Sequence, residues 1–237
     1  MRAARSLLAA TFLLGCGRST ERAPAPTGFD ALREAMVRET IVARQVQDPR
    51  VLAAMRKVPR HEFVPEAQRR HAYEDTPLPI GHGQTISQPY IVALMAEVAE
   101  IGPGERVLEI GTGSGYGAAV LAELAKDVFT IEILDALAIE AGNTLDRLGY
   151  GNVYVRSGDG YGGWPEEAPF DAIVVTAAPP EVPEPLKNQL KVGGKLVCPV
   201  GTRSQQLRVI TRTPEGFVEE PLLHVRFVPM TGEAQGR

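Results

Sequence analysis

Cysteine, histidine and basic charge are all scarce in this chain of 237 residues, and each shortage removes a class of function. The two cysteines, Cys16 and Cys198, lie far apart and follow no metal-ligand spacing, which argues against a disulfide framework and against a zinc site. Cys198 sits in the apolar run Leu196-Val197-Cys198 and reads as a small buried hydrophobe. The four histidines, His61, His71, His82 and His224, form no HxxxH or similar pattern and read as ordinary surface or partly buried side chains. A formal net charge of -4 and a pI near 5.7 supply no broad basic face, so no nucleic-acid partner is expected. Beyond the N-terminal segment no run approaches the ~20 apolar residues of a membrane span. What is present is apolar content of 44% with only 23% charged residues, enough for one substantial core and unlike a disordered chain. One α/β domain is the expectation.

The first residues read separately. Arg2 and Arg5 precede an apolar stretch over residues 7–14 that ends Leu13-Leu14-Gly15-Cys16, which looks like a secretory signal. That ending also resembles a bacterial lipoprotein cleavage box, in which Cys16 would carry the lipid anchor. Leu14 fits the box less well than a small residue would. Residues 17–28, rich in Ser, Thr, Pro and Ala, would then be a tether. The expected division is a leader and tether over residues 1–28 and one folded domain over residues 29–237.

After the tether, Leu32, Met36, Val42 and Val46 fall near helical spacing, and Asp48-Pro49 is a helix-start signal, so two N-terminal helices are expected. Residues 76–84 are too rich in Pro and Gly for regular structure and read as a loop, a candidate lid hinged at Gly81 and Gly83. Ile91, Leu94, Met95 and Val98 mark a helix that Ser87 could cap.

From Arg106 onward the pattern alternates. Short apolar strands at residues 107–110, 128–131, 153–155, 172–175 and 195–200 are separated by helical segments. One of these, over residues 135–148, is closed by Gly149. Such alternation predicts right-handed βαβ crossovers, hence a doubly wound, mostly parallel sheet with helices on both faces. Residues 206–211 and 222–228 have no helix between them and predict a closing antiparallel strand pair.

The first of these strands runs into Gly111, Gly113 and Gly115 and then into an alanine-rich helix, a site for a nucleotide-like cofactor. Two cofactors compete. The dinucleotide fingerprint can be traced through Gly113, Gly115 and Ala118 with Glu132 as the ribose-binding acid, which is the mark of an NAD(P)-dependent oxidoreductase. S-adenosylmethionine has no pyrophosphate, but it carries an ammonium, a sulfonium and a ribose diol. Acids at three successive strand ends, Glu109, Glu132 and Asp159, would repel a pyrophosphate and attract those cations. S-adenosylmethionine is therefore favoured, with Glu132 at the ribose hydroxyls and Asp159 at the adenine amine.

Further blocks carry a resemblance. Residues 58–65, 72–81 and Gly83-Gln84-Thr85-Ile86-Ser87-Gln88-Pro89-Tyr90, the glycine loop, Phe170-Asp171, residues 175–179, Pro199-Val200-Gly201 and Phe227-Val228-Pro229-Met230-Thr231 closely resemble protein-L-isoaspartate O-methyltransferases. The likeness runs from about Ala31 to Thr231, and the block over residues 84–90 selects this family among methyltransferases.

The resemblance implies a Rossmann-like methyltransferase fold. It also implies methyl transfer from S-adenosylmethionine to the free α-carboxylate of L-isoaspartyl residues in damaged proteins and peptides. In the family the ester cyclises to a succinimide whose hydrolysis returns part of the chain to aspartate. Ser87 matches the active-site serine. Thr85 and Ile86 beside it, and Glu109, Gly111, Gly113, Gly115, Glu132, Asp159, Gly160 and Thr231, match cofactor contacts. Gly117 departs from the family, where a larger polar residue is common.

The family works in the cytoplasm, where the methyl donor is made. Cytoplasmic action is thus expected of this chain too, as a monomer. The leader supports the alternative of an exported protein anchored through Cys16 that keeps the fold without methyl transfer.

An ionised carboxylate attacking a methylsulfonium needs neither general base nor metal. Alignment and exclusion of water remain, and the Ser87 hydroxyl is assigned to orient the substrate carboxylate by donating a hydrogen bond.

Overall fold

The computed structural model describes residues 28–235. Its centre is built from three mainly apolar strands: β3 (Arg106–Ile110), β4 (Asp127–Glu132) and β6 (Phe170–Val175) are buried almost throughout. Continuous rather than alternating burial is what a parallel strand covered on both faces requires. These strands join β5 (Val153–Ser157), β7 (Leu190–Val200), β8 (Gln205–Thr213) and β9 (Gly216–Val225) in one seven-stranded sheet of order β5-β4-β3-β6-β7-β8-β9. β3 to β7 are parallel, while β8 and β9 add antiparallel to the end, as the missing helix in the sequence predicts.

Successive residues of each inner strand feed opposite core layers. Val107 and Val128 pack on one face, with helices α2 (Pro49–Lys57), α3 (Pro89–Val98), α4 (Tyr116–Ala122) and α5 (Asp135–Arg147) contributing Met55, Met95, Val120 and Leu145. Leu108 and Phe129 pack on the other face, with Leu186 of the short α6 (Glu184–Asn188) and with Cys198, which is fully buried. From β3 the chain moves outward to β4 and β5, then crosses back to β6 on the other side of β3. That reversal opens a crevice at the carboxyl ends of β3, β4 and β6, where ligands of such sheets bind.

Local signals at two helix ends hold. Asp48 caps α2 by accepting a hydrogen bond from the Arg50 amide at 2.8 Å, with Pro49 in the first turn. Gly149 closes α5 with φ of 83°.

Three expectations are corrected. The two N-terminal helical segments form, but the first does not keep regular α-helical spacing across Leu32, Met36, Val42 and Val46. α1 (Phe29–Ala35) widens into a π-turn over Met36–Ile41, so Val37 and Ile41 become core while Leu32 is 48% exposed and Val42 39%. A wider turn rotates everything after it, which is why simple helical spacing fails from Val42 onward.

Residues 76–84 are not an irregular loop. Leu78–Gly81 (β1) and Gln84–Ile86 (β2) form an antiparallel hairpin whose turn carries positive φ at Gly81, His82 and Gly83. Prolines are tolerated because a two-stranded ribbon is all edge.

Nor does Ser87 cap α3. Gln88 is the N-cap residue and caps with no side chain of its own. The cap comes from Asp75, whose Oδ1 accepts from the Tyr90 amide at 3.1 Å while Oδ2 accepts from Gln88 Nε2 at 2.6 Å.

Candidate active site

At the crevice the glycine loop makes its turn with φ of 96° at Gly111, 54° at Gly113 and 87° at Gly115, the left-handed region that other residues avoid. Gly111 is also pinned sterically. A Cβ there would lie 2.4 Å from Thr176 Oγ1, whose hydroxyl is directed at the Gly111 carbonyl at 2.6 Å and the Ile110 carbonyl at 3.0 Å. Thr176, at the end of β6, thus fixes the loop from beneath.

Glu132 fixes the loop from the side. Its Oε2 accepts from the Gly113 amide at 2.8 Å and its Oε1 from the Leu134 amide at 3.1 Å. Both oxygens are aimed by backbone donors and retain lone pairs toward the crevice, the arrangement a vicinal diol needs. Glu109 is the floor. It is only 1% exposed, and a relay of hydroxyls reaches it, Thr112 and Thr130 lying 2.7 Å apart and Thr130 donating to Glu109 Oε2 at 2.6 Å. Burial pushes its carboxyl up to about 8, against the Thr130 hydrogen bond, with the nearby Glu132 charge adding to the rise. Glu109 Oε1 lies 2.3 Å from where a Cβ on Gly117 would stand, so the glycine there makes room for the acid.

These groups line a cleft of about 850 Å³ together with Thr85, Ile86, Ser87, Gly160 and Thr231. Gly160 is needed at close quarters, since a Cβ there would meet Ile110 Cγ2 at 2.4 Å. The cleft wall holds two acids and no Lys, Arg or His. A second, wider groove of about 1080 Å³ adjoins it and shares Thr85, Ser87, Thr176 and Val228. Its wall reverses the sign: Arg44, His224 and Arg226 are present and no acid is. Ser87 stands where the two meet. Among the described residues no hydrogen bond engages its hydroxyl, which leaves that donor available to a ligand.

Nine of the eleven residues singled out in the sequence line this cleft, and Gly115 is placed behind the loop against Leu145 and Ala141. Asp159 is the eleventh. It does not line the cleft; its Oδ1 accepts from the Tyr161 amide at 2.9 Å and its Oδ2 from the Glu233 amide at 2.7 Å, tying the C-terminal segment over the site. That segment supplies Val228, Pro229, Met230 and Thr231 to the wall, held by Met230 N donating to the Ala178 carbonyl at 2.8 Å. Sequence reasoning gave no role to Thr176, Thr112 or Thr130. Position was the only signal, and only for Thr112 and Thr176, just beyond the carboxyl ends of β3 and β6; Thr130 lies inside β4, opposite Glu109.

The protein-L-isoaspartate(D-aspartate) O-methyltransferase (PCMT) family model matches residues 31–235. The chain belongs to this family. A protein-L-isoaspartate O-methyltransferase of Gloeobacter violaceus is 62% identical over 200 residues, which cover 84% of this chain and 98% of that one. A solved protein-L-isoaspartate O-methyltransferase superposes with a TM-score of 0.79 at 33% identity, over 85% of this chain and 67% of that one. A Plasmodium falciparum protein described as a member of the family, solved with S-adenosyl-L-homocysteine, gives a TM-score of 0.74 at 29% identity, over 84% of this chain and 98% of that one. The doubly wound architecture of the family is the one observed, and the dinucleotide reading of the glycine loop is not supported. Cys16 and the whole leader lie outside the described residues. Among the described residues no helix is long and apolar enough to cross a membrane.

Proposed function

We propose that this chain is a protein-L-isoaspartate O-methyltransferase, which esterifies the free α-carboxylate of L-isoaspartyl residues in damaged proteins and peptides with a methyl group from S-adenosylmethionine. One observation carries the reading: an acid-lined cleft and a basic groove meet at a serine whose hydroxyl is uncommitted. The cleft fits the donor in shape and in charge. Glu132 would hold the ribose hydroxyls, the glycine loop would let the backbone approach, and Glu109 would face the cationic end. Thr85, Ile86, Gly160 and Thr231 complete the walls. Asp159, with both oxygens already bonded to amides, would act by keeping the C-terminal segment in place.

Bound S-adenosylmethionine supplies the methyl group on a sulfonium, already a good leaving group. The chain's own work is positional. The basic groove draws a carboxylate that is ionised at neutral pH, so no residue must remove a proton from it. The Ser87 hydroxyl donates a hydrogen bond to one carboxylate oxygen and leaves the other directed at the methyl carbon. Strand β2 of the hairpin supplies Gln84, Thr85 and Ile86 to the cleft wall beside this junction, while Leu78 and Ile80 of β1 are buried. Holding two reactants in line can contribute on the order of 7–11 kcal/mol in favourable cases. The methyl ester then closes on the following backbone nitrogen, expelling methanol and leaving the succinimide, a step that needs no further catalytic group. The reading places the enzyme in the cytoplasm, because that is where the methyl donor is made.

The test is a Ser87→Ala variant assayed with a labelled methyl donor and an isoaspartyl peptide. Turnover should fall by about 100-fold while cofactor affinity and melting temperature are kept. Turnover within a few-fold of the parent would remove Ser87 from the mechanism, and no ester on the parent protein's peptide would remove the function.

A further inference from the structure

The wide groove holds a permanent charge, Arg226, for which the fold supplies no carboxylate partner among the described residues. Burial alternates along the end of β9 and just beyond it: Leu223, Val225 and Phe227 pack against the core, whereas His224 and Arg226 are exposed on the opposite side and still line the groove. Arg44, the third basic residue, is already committed. It pairs with Asp75 Oδ2 at 2.9 Å, and its guanidinium carbon lies 3.4 Å from the Tyr90 ring centroid. Among the described residues no carboxylate pairs with Arg226, and no acid lines the groove, although the chain as a whole carries a net charge of -4. An acidic protein that leaves one unpaired positive charge in a groove free of acids selects what enters it by charge.

We propose that Arg226 binds a second carboxylate of the substrate, on an acidic side chain near the isoaspartyl residue, so that this enzyme favours damaged sites in acidic sequence. The inference rests on the methyl-transfer reading above and specifies its acceptor. One carboxylate is consumed at Ser87, where it must meet the methyl carbon. A peptide lying along the groove then passes the Arg226 guanidinium, a planar fork suited to carboxylate oxygens. β9 is the edge strand of the sheet, so its open side also offers main-chain groups to an extended segment. Aspartate and glutamate side chains, not the peptide's own terminus, are the assigned ligand.

The experiment compares kcat/KM for isoaspartyl peptides, acetylated and amidated to remove terminal charges, whose flanking residues are all alanine, or carry two glutamates, or carry two lysines. The parent enzyme should prefer the glutamate peptide to the alanine peptide by roughly fivefold, the size a partly exposed ion pair gives, and added salt should erode the preference. Arg226→Ala should bring the ratio close to one, and Arg226→Glu should invert it toward the lysine peptide, whatever happens to the absolute rates. Methylation of all three peptides at equal efficiency by the parent would overturn this inference and leave the function intact. A preference that survives in Arg226→Ala would overturn the assignment to Arg226. Failure to methylate even the alanine peptide would overturn the underlying reading instead.

Discussion

Glu109 offers a test of whether the cleft is built to receive a cation. Its carboxyl lies on the floor of the cleft, 1% exposed, and burial raises it from 4.5 to about 8. In an unfolded chain the same group would lose its proton near its ordinary value. The folded protein therefore retains a proton that the unfolded chain gives up. Its contribution to stability is fully present below about pH 4.5 and fades as pH rises through about 8. The whole shift corresponds to about 5 kcal/mol, and the part falling between about pH 5.5 and 8 to about 3 kcal/mol. For a domain of this size that is a fall of roughly 6–12 °C in Tm over the window. Glu109→Gln, which keeps the shape and removes the titration, should flatten this component.

The difference between parent and variant isolates Glu109 from the other titrating groups. Melting should be followed by calorimetry at half-unit pH steps without ligand. With saturating S-adenosylhomocysteine, whose ammonium favours the ionised carboxyl, the dependence should shrink. Binding near pH 6.5 should release close to one proton, read from titration heats in two buffers of different ionisation enthalpy. Parallel melting curves for parent and variant across the window, with no proton released on binding, would refute the argument.

Three further outcomes follow from the same contacts. Asp75→Ala should lower unfolding free energy by about 1–2 kcal/mol, because it strips the cap from α3 and the partner from Arg44, whereas Ser87→Ala should change it by less than about 0.5 kcal/mol; denaturant melts of both variants check the pair. Gly111→Ala should cost at least about 1–2 kcal/mol from its left-handed backbone alone, with a further loss because its Cβ would press on Thr176 Oγ1, and calorimetric binding of S-adenosylhomocysteine should weaken in step. Asp159→Ala should free the Glu233 amide and loosen the C-terminal segment, so limited proteolysis should clip the tail faster than in the parent while cleavage elsewhere is unchanged.

What could be read from the sequence was whatever local chemistry decides. The apolar runs of β3, β4 and β6 announce parallel strands because both faces are buried; Asp48-Pro49 and Gly149 mark helix ends because the signal lies within a turn of the end it marks. The glycine loop and its acids were legible for the same reason. Distant partners were not. Asp75 caps a helix 15 residues away, Thr176 bolts a loop 65 residues away, and Asp159 turns from the cleft to an amide 74 residues on. The π-turn at Met36–Ile41 and the proline-bearing hairpin were misread because tertiary packing, not local propensity, decides them. The opposite charge of the two compartments also escaped the sequence, since Arg44, His224 and Arg226 come together only when the groove forms.

The most direct measurement uses two peptides of identical composition, one with an isoaspartyl linkage and one with the normal aspartyl linkage, offered to the purified protein with tritiated S-adenosylmethionine. Base-labile methyl ester should accumulate on the isoaspartyl peptide, decay to succinimide with release of labelled methanol, and be absent from the aspartyl isomer. Label on both isomers alike, or on neither while the protein is folded and binds S-adenosylhomocysteine, would contradict the account.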